Sequence, residues 1–143
     1  MTAQTPWRVR RFDLWINPVF DEHLARQPGI ALEVARVGGP AHAAWRALES
    51  AHVYQITAAK DELPLEFHAH APLLARCPDL LCVSSTGAGY DTVDVEACTR
   101  AGVAVVSQIG GNAHAVAEMA LGLMLAVSRR IVESDRKLRA ARG

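Results

Sequence analysis

Two glycine-bearing turns stand out in SSTGAGYDTVDVEACTRAGVAVVSQIGGNAHAVAEMALGLML, residues 84–125. The first is Thr86-Gly87-Ala88-Gly89-Tyr90-Asp91. Glycine reaches positive φ at no Cβ penalty and lets a ligand approach the main chain. Successive free N–H groups form a small nest for an anion, so a carboxylate or phosphate can rest on the amides of Ala88 and Gly89. A glycine turn that only reverses the chain is the competing reading, and the residues alone weigh the two equally. The second turn is Gly110-Gly111-Asn112, which opens a long apolar segment. The first amides of a helix are unpaired and carry partial positive charge, which also suits an anion. Asn112 either caps that helix or turns its side-chain amide toward a ligand, and capping is the commoner fate.

The first turn is not the dinucleotide fingerprint G-x-G-x-x-G. Thr92 stands where the third glycine belongs, and SQIGG carries no acid where one should end the next strand. Other reactive residues carry less. His68, His70 and Cys77 fit no zinc spacing and read as a surface histidine pair, so no metal is expected. Cys82 reads as core packing, and Cys98 has no base fixed beside it to make it a nucleophile. His114 flanks the second turn and reads as solvent-exposed. Glu118 is a charge in an apolar helix, so it is expected to pair with a residue or backbone group near the turns. Arg129 and Arg130 suit a helix C-terminus.

Short β-rich runs alternate with helical patterns. Strands are expected at 12–16, 31–37, 52–56, 80–85 and 103–108. Helices are expected at 20–27, 41–50, 65–76 (with Pro72 inside it), 93–102 with Gly102 as C-cap, and 112–131. The last helix is apolar nearly all round and should be covered on most sides. Residues 133–143 read as a solvated helix or frayed tail. Alternating β and α elements imply an α/β fold, a doubly wound parallel sheet of the flavodoxin-like kind. Ligands then bind at the carboxyl ends of the strands, where both glycine turns should lie.

Composition sets the bounds. A chain of 143 residues, half of them apolar and 21% charged, can bury one core. Acidic and basic residues balance at 15 each, which gives no electrostatic case for nucleic acid or an anionic membrane. Three cysteines without a CxxC pair fit a reduced, cytoplasmic chain. The N-terminus has no apolar signal region. The longest apolar run, 115–127, is shorter than the roughly 20 residues a membrane span needs.

The stretch TGAGYDTVDVEACTRAGVAVVSQIGGNAHAVAEMALGLMLAVSRRI resembles the segment that closes the substrate domain of NAD-dependent D-2-hydroxyacid dehydrogenases, with phosphoglycerate dehydrogenases and hydroxypyruvate reductases as the nearest kinds. The likeness runs from Leu80 to Ile131, and APLLARCPDLLCV is similar to the family's lead-in. It implies that residues 1–111 are part of a substrate-binding domain and 112–143 the crossover helix toward a cofactor domain. It implies further that amides of the Gly87-Ala88-Gly89 turn bind the substrate carboxylate, that Ala88 also lies near the nicotinamide, and that Asn112 approaches the substrate. NAD or NADP would be the cofactor, a small 2-hydroxy or 2-keto acid the substrate, and a second copy the partner in a homodimer. The family's catalytic arginine, glutamate and histidine have no matching positions here. The chain is therefore expected to be the front portion of the enzyme, truncated before the dinucleotide-binding domain and inactive alone. Two other readings are a non-catalytic module that binds a small carboxylate and a formate-dehydrogenase-like member. The loop after the third strand, TAAKDE, lacks the arginine common in relatives that handle phosphorylated substrates.

Overall fold

A computed structural model of the chain describes residues 6–141. These form two compact units that divide between Ile109 and Gly110. The first unit holds five strands: β1 (Trp7–Phe12), β2 (Ile30–Ala35), β3 (Val53–Thr57), β4 (Cys82–Thr86) and β5 (Ala104–Val106). All pair in parallel, in the order β2-β1-β3-β4-β5. Parallel strands need crossovers, and α1 (Val19–Ala25), α2 (Ala41–Glu49), α3 (Ala71–Arg76) and α4 (Val95–Ala101) supply them. This is the flavodoxin-like order expected from the alternation of elements. The chain leaves β1 toward one side for β2 and the other side for β3. The crevice at the carboxyl ends of β1 and β3 is the topological switch point, where such sheets take ligands.

The first strand lies earlier than the 12–16 expected from the sequence. Arginines at positions 8, 10 and 11 hide β1 from a hydrophobic pattern, yet each finds partners in the fold. Arg10 is buried and donates to the carbonyls of Ala47 (3.2 Å), Val9 (3.0 Å) and Ala31 (3.1 Å), with Glu33 at 3.1 Å. Arg8 reaches Asp79 at 3.1 Å, and Arg11 pairs with Asp21. The single helix expected over 65–76 is instead one 3-10 turn, Leu65–Phe67, followed by α3. Pro72 sits in the first turn of α3, where its missing N–H costs nothing. Helix α4 forms as expected: the Asp94 carboxylate caps the Ala97 amide at 2.8 Å, and Gly102 ends it at φ +74°.

Aromatic side chains centre the core. Phe67 packs against Phe12 (centroids 4.8 Å apart) and Trp45 (5.2 Å). Tyr54 is wholly buried and donates its hydroxyl to the Phe67 carbonyl at 3.1 Å. The Arg76 guanidinium stacks over Trp45 at 3.6 Å. His68 is not the surface residue that its sequence context suggests; it is buried, with Nε2 3.0 Å from the Leu63 carbonyl.

The second unit comprises α5 (Ala113–Ser128) and α6 (Ile131–Ala141). A single helix over 112–131 was the expectation, but the helix stops at Arg129 and the chain turns at Arg130, which adopts φ +51°. No glycine or proline marks this stop. Pairs one turn apart, Lys137–Glu133 at 2.8 Å and Arg139–Asp135 at 2.9 Å, suit α6 to solvent. None of the α5 residues is buried, and Val116, Met119, Leu123 and Val127 are exposed. The cover expected for this helix is thus not provided by the described residues. Glu118 is exposed too, so it needs no partner, and it has no ion pair among the described residues. No described helix is long and apolar enough to cross a membrane.

Replacing Tyr54 with phenylalanine keeps the ring but strands the buried Phe67 carbonyl. Urea denaturation should report a loss of about 1–3 kcal/mol.

Candidate functional site

The site begins at the strand ends. In the β3–β4 register Thr57 stands opposite Thr86. With Arg11 and Phe12 at the end of β1, and Gln55 on β3, these residues line a recess at the switch point. Its volume is about 20 Å³, room for about one water. Any larger ligand must sit on its rim. Gln55 is buried and donates its amide to the Thr86 hydroxyl at 2.9 Å, which cross-links β3 to β4 below that rim.

Gly87-Ala88-Gly89 follows directly from Thr86, the β4 residue that lines this recess. Gly87 adopts φ +86°, a conformation that L side chains rarely take. Gly89 is needed for a different reason. A Cβ there would fall 3.3 Å from the Ala58 methyl, so glycine lets the turn press against the loop after β3. Three carbonyls of the turn are engaged by protein: Gly87 O accepts from the Gln108 amide at 2.8 Å, Gly89 O from the Ser85 hydroxyl at 2.6 Å, and Tyr90 O from the Val93 amide at 2.9 Å. Among the described residues, the Ala88 and Gly89 amides donate to no protein acceptor. Ala88 is partly buried and Gly89 exposed, so water meets these donors when no ligand does.

Thr92, the residue in place of a third fingerprint glycine, is wholly buried and donates to the Thr57 carbonyl. It fastens the exit of the turn to the end of β3. A short parallel bridge adds to this: Ala69 N donates to Thr92 O (2.9 Å), and Asp94 N to Ala69 O (3.0 Å).

The charged residues nearest the turn in sequence and space leave an excess of carboxylates. Arg11 is committed to Asp21 and to the Phe12 carbonyl, so its guanidinium is already neutralised. In the loop after β3, Lys60 and Asp61 are exposed, and Glu62 accepts the Thr57 hydroxyl at 2.6 Å. An Asp91 oxygen lies 4.0 Å from where a Gly89 Cβ would stand.

Gly87, Ala88 and Gly89 therefore share one turn of the first unit, while Asn112 belongs to the second. Asn112 occupies the N-cap position of α5 at φ −115°, but its side chain makes no capping bond, contrary to the commoner fate of such residues. His114 is exposed, as expected. The thiols offer no nucleophile. Burial, then the nearby Glu49 carboxylate, push Cys77 up to about 11 against the opposing Arg76. Burial also raises Cys82 and Cys98. Among the described residues no three His, Cys, Asp or Glu side chains are grouped to hold a metal. Ser85 and Gln55 were not singled out from the sequence, and Thr92 was noted only as the residue in place of a fingerprint glycine. Their one local signal is a polar side chain inside, or just after, an apolar strand; for Ser85 and Thr92 that strand runs into the glycine turn.

Residues 41–139 match the D-isomer specific 2-hydroxyacid dehydrogenase family, catalytic domain. The chain is 50% identical over 70 residues to a D-3-phosphoglycerate dehydrogenase of Mycobacterium leprae, covering 49% of this chain and 13% of the relative. It is 40% identical over 68 residues to a glyoxylate reductase of Thermococcus litoralis, covering 48% and 20%. A solved 2-hydroxyacid dehydrogenase from Ketogulonicigenium vulgare shares the fold at TM-score 0.74 and 22% identity, over 97% of this chain and 41% of that one. The chain thus spans a minor part of each.

The Cys77 thiol fixes the sign of one pH effect. Its folded value, about 11, exceeds its unfolded value of 9.0, so the folded state holds the proton longer. The resulting stability is complete below pH 9 and is lost as pH climbs toward about 11. Denaturation midpoints should fall across that window, and Cys77→Ala should flatten the fall.

Proposed function

Since this chain belongs to the D-isomer specific 2-hydroxyacid dehydrogenases and matches their catalytic domain, we propose that it forms the acid-binding portion of an oxidoreductase. The full enzyme would interconvert a D-2-hydroxy acid and its 2-keto acid with NAD or NADP. The observation that carries this reading is the pair of unpaired amides, Ala88 and Gly89, at the carboxyl end of β4, the strand beside the switch-point strand β3. Charge-assisted hydrogen bonds from both to one carboxylate hold the acid in a fixed orientation. Gly87 supplies the backbone conformation, and Ala88 also borders the nicotinamide. Asn112 keeps the role that the family likeness gives it, a polar contact to the substrate, because capping does not occupy its side chain.

The cofactor itself does not fit this turn. Thr92 fills the place of the third glycine, and its hydroxyl is tied to Thr57. Hydride transfer also requires a group that exchanges a proton with the 2-oxygen. We assign both functions to portions of a longer protein, since the matched curated relatives are five to eight times longer than the stretch aligned here, at 20% and 13% coverage. The 143 residues alone would position the acid without turning it over.

Local charge narrows the acid. With Arg11 balanced by Asp21, and Glu62 and Asp91 beside the turn, a single carboxylate is favoured over an acid that also carries a phosphate. The three free thiols support a reduced, cytoplasmic setting. The exposed apolar residues of α5 support self-association as a homodimer. A non-catalytic carboxylate-binding module is the second reading, favoured by a seat that this chain completes without further residues.

The test is a reductase assay on the product of the complete reading frame, with glyoxylate or a phosphorylated 2-keto acid and either nicotinamide cofactor. We expect NADH or NADPH to be consumed, faster with the unphosphorylated acid, and no turnover by the 143-residue chain. Glyoxylate binding without cofactor consumption would favour the binding module instead. In sedimentation the 143-residue chain should run as a dimer or larger, and Met119→Lys with Leu123→Lys should return it to monomer.

A further inference from the structure

We infer that Ser85 is the positioning residue of the anion seat, and that the seat has a third donor, the amide of Tyr90; this rests on the carboxylate-binding reading above. A trans peptide group is planar, and its N–H points opposite to its C=O. Wherever a carbonyl of the turn is anchored, the next residue's amide is aimed the other way. The Gln108 amide anchors the Gly87 carbonyl at 2.8 Å, which directs the Ala88 N–H away from that contact. The Ser85 hydroxyl anchors the Gly89 carbonyl at 2.6 Å, which directs the Tyr90 N–H away from Ser85. Ser85 is 1% exposed, so its hydroxyl lies on the interior side of the turn. The Tyr90 amide, like those of Ala88 and Gly89, donates to nothing else among the described residues.

The peptide group carrying the Gly89 N–H lies between these two anchored groups. With both neighbours held, it can turn only by a concerted counter-rotation of ψ at Ala88 and φ at Gly89. Ser85 thus acts through the main chain. It touches no ligand, but it sets the direction of one donor and limits the freedom of another. A seat arranged before the acid arrives avoids the ordering cost of assembling it on binding. Ser85 and Gly89 are four residues apart in sequence, and the strand-to-turn geometry brings the hydroxyl to the carbonyl. Loss of the hydroxyl would leave a carbonyl that can swing outward and present its negative end to the incoming carboxylate.

The test uses the 143-residue chain, labelled with nitrogen-15 and titrated with glyoxylate while amide resonances are followed. We expect the Ala88, Gly89 and Tyr90 signals to move together with one dissociation constant. Ser85→Ala should weaken binding about fivefold to tenfold, the effect of one net hydrogen bond, and should abolish the Tyr90 shift while the rest of the spectrum stays folded. Ser85→Thr, which keeps the hydroxyl, should restore the Tyr90 shift. Equal affinity and an intact Tyr90 shift in Ser85→Ala overturn the inference and leave the carboxylate reading standing. No movement of any of the three signals in the unmodified chain overturns both. If Ser85→Ala does not fold, relaxation of the unmodified chain decides. Order parameters of about 0.85 at Gly89 and Tyr90 support the clamp, and values below about 0.6 overturn it.

Discussion

A peptide group donates on one side and accepts on the other, and in the two peptide groups that begin with the Gly87 and Gly89 carbonyls the fold has engaged the accepting side only. The Gly87 and Gly89 carbonyls are bound by Gln108 and Ser85, which leaves a run of amides without protein partners. Everything near the turn serves that asymmetry. Strand β4 delivers Ser85 and then Gly87, whose φ of +86° bends the chain at once. The chain leaving β5 brings Gln108. Thr92 closes the loop by gripping the end of β3. Remove the sheet and the same eight residues have no reason to hold their carbonyls inward.

The sheet order decides where this turn lies. Because β1 is flanked by β2 on one side and β3 on the other, the two crossovers diverge from it and leave a crevice at the carboxyl ends. The recess there is narrow, and the Gln55–Thr86 hydrogen bond joins two of the residues that line it. Under the proposed reading, the acid would sit outside this recess, on the backbone donors of the turn. Main-chain recognition of a carboxylate is indifferent to what the rest of the acid looks like. The two named relatives, a phosphoglycerate dehydrogenase and a glyoxylate reductase, differ in their acids, and such a difference has to come from groups around the turn. In this chain those groups include Glu62 and Asp91, with Arg11 already paired.

The second unit follows other rules. Helix α6 stands on its own charged pairs, whereas α5 combines an apolar surface with no burial. Helix stability in water is marginal without tertiary packing for segments of this length.

The sequence alone was enough for the alternation of elements, hence the parallel sheet and its strand order, and for the glycine turn on the ligand edge. Those are local matters: apolar runs of strand length, glycines that only a bend requires, and Asp94 and Gly102 bounding α4. It did not disclose β1, because the partners that make Arg8, Arg10 and Arg11 tolerable in a central strand come from residues up to 71 positions away. It did not disclose the stop at Arg130, which no helix-breaking residue marks. Nor did it show that His68 is buried or that Asn112 leaves its helix uncapped. Above all, only the folded chain decides which polar groups of the turn are free. The contacts with Gln108, Thr57 and Ala58 are long-range, and Ser85 finds Gly89 only once β4 is locked in the sheet and the turn bends back. A sequence displays which amides exist; whether they are already paired is a property of the space around them.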